Sequence, residues 1–219
     1  MSDLFALDGP RFGPASGGRP RQLVLLLHGL GADGHDLIGL APYFAQALPD
    51  AAFVSPHAPF PCDMGPFGRQ WFSLQDRSPE VVLGCVQASA PILDGFIDAE
   101  LARAGVPDNR LALLGFSQGT MMSLYVAPRR AKAIAGVLGY SGALVGANLL
   151  ATELKSKPPV LLVHGDADPI VPFQAMDAAA RGLRAAGLSV ETLGRPGLPH
   201  SIDEEGIAAG IKFLGRVLS

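Results

Sequence analysis

Cysteine is scarce in this chain of 219 residues: it has two, Cys62 and Cys85, and they form no metal-ligand spacing. Reduced thiols in a cytoplasmic protein are the expected state, with a disulfide between the two as the alternative that nothing in the sequence supports. Charge is sparse as well. Asp, Glu, Lys and Arg make up 17% of the residues and the formal net charge is −3. There is no basic stripe for nucleic acid and no polybasic segment for anionic lipid, so neither partner is expected. Long apolar runs are missing too. Residues 23–27 and 160–163 are strand-length, far short of the roughly 20 residues that cross a bilayer, and no stable membrane insertion is expected. Residues 1–6 lack a cationic region followed by a long apolar one, which argues against a signal peptide.

What the chain does have is apolar content, 48% of its residues, enough at this length for one α/β domain over 1–219. Strand-like runs alternate with helix-like ones, the pattern of a mostly parallel central sheet with helices on both faces. Residues 22–27, 51–55, 110–114, 133–140, 159–164 and 188–193 read as strands. Helical spacing predicts helices over 34–48, 78–104, 120–127, 173–186 and 202–218, with Pro91 expected to kink or break the second. Ser78-Pro79-Glu80 is a good helix start and Gly105 a helix stop. Between 56 and 77 the chain is rich in Pro and Gly with little periodicity, a long connection of the kind that is often functional. The Gly/Pro-rich stretch 9–20 reads as a loop or hairpin connection rather than a linker.

The most informative segment is Gly115-Phe116-Ser117-Gln118-Gly119. It fits the G-x-S-x-G nucleophile elbow, between a buried strand and a helix. A serine on that tight turn is pushed into the site, and flanking glycines avoid collision with neighbouring backbone. An alcohol is a poor nucleophile at neutral pH; it needs a base, and the base needs a third group to orient it. In such a fold the partners follow the serine in the order acid, then histidine. Of the five histidines only His164 and His200 follow Ser117, and His164 precedes the candidate acids. His200, between the last strand and last helix, is the candidate base. Asp166 and Asp168 compete as the acid; Asp166 can instead cap its own turn, and spacing alone does not decide between them. Oxyanion donors are expected at the backbone N–H of Gln118 and in His28-Gly29-Leu30-Gly31-Ala32-Asp33-Gly34, where Leu30 is the candidate. That segment lacks the lysine, hydroxyl and spacing of a phosphate-binding loop. No calcium-type ligand pattern surrounds the aspartates, and no metal site is expected.

Together, His28-Gly29-Leu30-Gly31, Pro56-His57-Ala58-Pro59, the elbow, Tyr140-Ser141-Gly142, His164-Gly165-Asp166, Asp168-Pro169-Ile170-Val171-Pro172 and His200-Ser201 resemble the carboxylesterase, lysophospholipase and acyl-protein thioesterase family of α/β-hydrolases, in order and over nearly the whole chain. The resemblance implies Ser117 as nucleophile, Asp168 as acid, His200 as base, and the N–H groups of Leu30 and Gln118 as oxyanion hole. It also places Trp71, Leu144 and Ile170 in the walls of a substrate pocket. Two departures from the family pattern, Trp71-Phe72-Ser73 and Ala143-Leu144-Val145-Gly146, flank that pocket, so the chemistry is better specified than the substrate. The expectation is a serine hydrolase of small to medium soluble carboxylic esters. It forms an acyl-enzyme on Ser117, needs no cofactor and is a monomer or weak homodimer. Lysophospholipase or acyl-protein thioesterase activity is the alternative, and a non-catalytic binding module on a hydrolase fold the remote one.

Overall fold

The computed structural model describes residues 7–219; the six N-terminal residues, expected to carry no signal peptide, lie outside them. The elements are β1 (Arg11–Phe12), β2 (Gln22–Leu27), α1 (Gly34–Ile38), α2 (Ala41–Ala45), β3 (Ala51–Val54), β4 (Phe60–Pro61), β5 (Arg69–Gln70), α3 (Pro79–Ala104), β6 (Leu111–Phe116), α4 (Gln118–Val126), β7 (Gly136–Tyr140), α5 (Leu150–Glu153), β8 (Val160–Gly165), α6 (Gln174–Ala185), β9 (Val190–Arg195) and α7 (Glu204–Val217). Seven strands form one sheet in the order β1-β3-β2-β6-β7-β8-β9. All neighbours run parallel except β1, which pairs antiparallel with β3 and closes that edge. The stretch 9–20 thus supplies a short edge strand.

Both faces of the sheet are covered, which is why β2, β6, β7 and β8 are apolar almost throughout. Alternate residues of β2 divide between two cores. Val24 and Leu26 face α1, α2 and α7, packing with Leu37, Phe44 and Phe213. Leu23, Leu25 and Leu27 face α3, α4 and α6, packing with Leu93, Met122 and Leu183. Strand order reverses between β2 and β6, because the chain runs from β2 outward to β3 and then crosses back. In open sheets of this kind ligands bind at the carboxyl ends of the strands at such a reversal. The loop 28–34 and Ser117 leave the sheet there.

Three expectations need correction. The helix foreseen over 34–48 is two short ones: Pro42, in the first turn of α2, has no N–H to donate to the Ile38 carbonyl that ends α1. Conversely α3 runs unbroken through Pro91. The carbonyl that loses its donor there is that of Gln87, and both residues are exposed, so water can replace the missing bond. The stretch 56–77 also contains a small antiparallel hairpin, β4–β5. By length and hydropathy α3 resembles a membrane-crossing helix. It is nevertheless built into the domain. Val86, Leu93, Phe96 and Ile97 are buried, Glu100 pairs with Arg11, and Asp94 and Asp98 pair with Arg130.

α4 crosses the C-terminal end of β2 at very short range. A Cβ on Gly119 would collide with the Leu27 carbonyl. Gly119→Ala should therefore cost about 1–3 kcal/mol of overpacking strain, or several °C in Tm at roughly 2–4 °C per kcal/mol for this size. Turnover should fall by a larger factor than the stability loss explains, because relief of the clash moves Ser117 away from the loop that follows β2. Thermal melts paired with esterase assays well below Tm check this; a variant of wild-type Tm and activity would show that α4 has room to shift.

Candidate active site

Ser117 sits between β6 and α4 with φ 53°, one of two non-glycine residues among those described with positive φ. The strain is held by the turn's hydrogen bonds: Ser117 N–H donates to Tyr140 O at 2.9 Å, and Met121 N–H donates to Ser117 O at 3.2 Å. The side chain lies in the mouth of the site, 8% exposed. Its hydroxyl makes no hydrogen bond among the described residues.

His200 and Asp168 come together from loops 32 residues apart. His200 Nδ1 lies 2.7 Å from Asp168 Oδ2. The other carboxylate oxygen, Oδ1, accepts the N–H groups of Ile170 at 2.8 Å and Val171 at 2.9 Å. The Asp168 side chain is fully buried. Burial opposes its ionisation, but the hydrogen bonds from His200 and the two N–H groups outweigh that and hold the carboxyl below its ordinary value. Because an ionised carboxylate only accepts, Nδ1 of His200 carries the proton and Nε2 is left as the basic nitrogen, on the opposite side of the ring. That ring packs on Phe116, the residue before Ser117, with centroids 4.8 Å apart.

Asp166 does something different. Its Oδ1 accepts the Gly197 N–H at 2.6 Å and so braces the loop that carries His200. His164 is buried behind the acid: its Nε2 is 2.9 Å from the Val171 carbonyl and 3.3 Å from Asp168 Oδ2. A carbonyl accepts only, so this nitrogen carries the ring proton that Val171 O accepts, and the carboxylate stands beside it. The sequence pattern gave His164 a structural role near the strand end, and the structure adds the contact with Asp168.

The loop after β2 lies against the serine: a Cβ on Gly29 would be 3.3 Å from Ser117 Cβ. Neither Leu30 N–H nor Gln118 N–H has a protein acceptor among the described residues. His28 stiffens the loop. Its Nδ1 donates to Gly29 O at 2.7 Å and its Nε2 accepts the Ala58 N–H at 3.0 Å, a pattern only the neutral ring can make. Burial accordingly lowers its pKa. From the other side Arg69 N–H donates to Ala32 O at 2.8 Å and Gly31 N–H to Arg69 O at 2.9 Å.

The expected pocket residues fare unequally. Trp71 is not a pocket wall: it is 0% exposed, and its indole N–H donates to His28 O at 3.0 Å. Its backbone N–H donates to Gln118 Oε1 at 2.8 Å, and Gln118 Nε2 donates to Phe72 O at 2.7 Å. Trp71 therefore fastens the long loop to the elbow from within the core. Leu144 is half-buried beside Gly182 of α6, and Ile170 is 61% exposed on the acid loop. A cavity of about 280 Å³ opens instead beside His200, against Leu37, Leu40, Phe116 and Ile202. Leu37 and Leu40 were legible only as helix core; nothing in their spacing showed that they face a cavity. Both cysteines are free thiols.

A strand-to-helix serine turn at the reversal point of a mostly parallel sheet, with a buried acid and histidine on later loops, defines the α/β-hydrolase class. The chain belongs to the phospholipase/carboxylesterase family, whose model matches residues 14–218. It is 34% identical over 206 residues to acyl-protein thioesterase 1 of Schizosaccharomyces pombe, covering 89% of this chain and 90% of that one. It is 32% identical to a probable carboxylesterase of Oryza sativa, over 87% and 76% of the two chains. Among solved structures, esterase PE8 superposes with a TM-score of 0.92 at 37% identity, covering 97% and 99%. SOBER1 of Arabidopsis thaliana gives 0.81 at 28% identity, covering 91% and 100%.

The two aspartates should separate cleanly. Asp168→Asn should lower kcat/KM on the order of 10³–10⁴-fold by removing the charge that fixes the His200 tautomer. Asp166→Asn keeps an acceptor for Gly197 and should stay within about tenfold. Steady-state kinetics on folded variants decide it, and equal losses would dissolve the assignment of the acid.

Proposed function

We propose that this protein is a carboxylic ester hydrolase in which Ser117 is the nucleophile, His200 the general base and Asp168 the orienting acid. The single observation that carries the reading is the 2.7 Å His200–Asp168 bond, set beside a strained serine turn and two unengaged N–H groups. Ser117 Oγ attacks the acyl carbon while His200 Nε2 takes its proton. The oxyanion that forms is held by the N–H groups of Leu30 and Gln118, the second reinforced by the N-terminal end of α4. As the C–O bond breaks, His200 returns the proton to the leaving alcohol. Water then repeats the sequence on the acyl-serine.

The reading extends to one catalytic domain, monomeric or a weak homodimer, acting in the cytoplasm on small to medium esters without a cofactor or membrane insertion. Leu144 and Ile170 remain candidates for the substrate pocket. Thioester hydrolysis uses the same groups, and the relative named acyl-protein thioesterase keeps it as the second reading. The ratio of rates on matched oxygen and thiol esters separates the two.

Ser117→Ala should lose at least about 10⁴-fold in ester hydrolysis and all fluorophosphonate labelling while keeping the wild-type melt, since such residues act as a unit. Turnover within tenfold of wild type, contaminants excluded, would sink the assignment; an unlabelled wild type would favour a binding module. The acid limb of log kcat/KM should have unit slope. Asp168 is held below its ordinary value, so its own protonation should add no second proton to that limb beside the one on the imidazole. A slope of two would mean that a second group titrates with it.

A further inference from the structure

The cavity beside His200 lies on a definite side of the sheet. Leu37 is buried there, while Leu40, Phe116 and Ile202 are half-exposed side chains on the core shared with α1, α2 and α7. Leu144 packs on the opposite core, with α3, α4 and α6. The end of β6, which carries Ser117, separates the two. An ester bound at Ser117 has two arms, and its carbonyl oxygen occupies the space before Leu30 and Gln118. The arm that must meet His200 is the alcohol, because its oxygen receives the proton from Nε2 as the C–O electron pair moves onto it.

The volume, about 280 Å³, falls just below the usual range of about 300–1,000 Å³ for small-molecule sites. It suits a compact group rather than a long chain. The apolar walls carry one fixed charge, Asp36 in the first turn of α1, which is exposed and has no ion-pair partner among the described residues. His200 is the other ionisable group on the lining, and its own carboxylate partner is turned away behind it.

We propose that this cavity is the alcohol subsite, taking short, compact alcohol groups and favouring a cationic end over a neutral one of the same shape. The proposal rests on the ester-hydrolase reading above and adds the half of the substrate that the family likeness leaves open. Leu37, Leu40, Phe116 and Ile202 hold the apolar body of the alcohol, and Asp36 attracts a positive terminus at the mouth.

The test uses a matched pair, choline butyrate and 3,3-dimethylbutyl butyrate, which differ by a quaternary nitrogen in place of a carbon, with methyl butyrate as the small reference. Asp36→Asn, a change at an exposed position, should lower the choline-to-dimethylbutyl ratio of kcat/KM about threefold at low salt, the scale of an exposed ion pair. High salt should produce the same loss in wild type. Leu40→Trp should lower the dimethylbutyl-to-methyl ratio at least about tenfold by filling the cavity. The ranking of methyl esters from acetate to octanoate should keep its order in both variants. Alcohol ratios unchanged in Asp36→Asn and Leu40→Trp would overturn the proposal. So would a reordered acyl ranking with constant alcohol ratios, which would make the cavity part of the acyl site. If wild type cleaves no ester and takes up no fluorophosphonate, the hydrolase reading fails first and the subsite with it.

Discussion

The approach of α4 to the end of β2 is the contact on which the site depends. Gly119 lets the helix backbone rest on the Leu27 carbonyl, which sets the distance between the serine turn and the loop that follows β2. Ser117, at the start of the same helix, has φ 53°, and the surrounding sheet supplies the stability that such strain costs, typically about 1–3 kcal/mol. The geometry is fixed before any substrate arrives. The N–H groups of Leu30 and Gln118, from segments far apart in sequence, both lack a protein acceptor among the described residues, which is what the proposed oxyanion hole requires of a preorganised donor pair.

The acid is fixed by a different means. A buried carboxylate is unfavourable unless its oxygens are matched by donors. Asp168 meets three: the N–H groups of Ile170 and Val171, and the imidazole of His200. Hydrogen bonding therefore wins over burial and holds the carboxyl below its ordinary value. Asp166, two residues earlier and exposed, instead braces the neighbouring loop at Gly197. Sequence spacing left these two aspartates undecided; what separates them is which one is enclosed and supplied with donors.

That contrast marks what the sequence makes legible. The buried strands and the strand-to-helix turn at Ser117 follow from local pattern, and they appear where the pattern puts them. Boundaries that depend on one proline do not: Pro42 ends a helix because its N–H is needed, whereas Pro91 is tolerated because the orphaned carbonyl faces water. Trp71 shows a third limit. An aromatic in a Pro/Gly-rich loop next to a site reads equally well as wall or core, and only its complete burial and bonded indole decide for core.

The burial of Trp71 also accounts for the long connection between β3 and α3. Gln118, next to Ser117, has a backbone N–H without a protein acceptor among the described residues, and its side chain grips Trp71 and Phe72. Trp71 in turn holds the His28 carbonyl through its indole and accepts Ser89 Oγ–H of α3 at 2.7 Å on its own carbonyl. Arg69, two residues before it, pairs with Gly31 and Ala32 and donates from Nε to Ala58 O at 2.7 Å. One continuous network thus ties α3, the hairpin loop, the elbow and the loop after β2. An irregular segment rich in Pro and Gly is suited to this, because its backbone groups are not committed to a helix or ladder and remain available to bond the loops that present the donors.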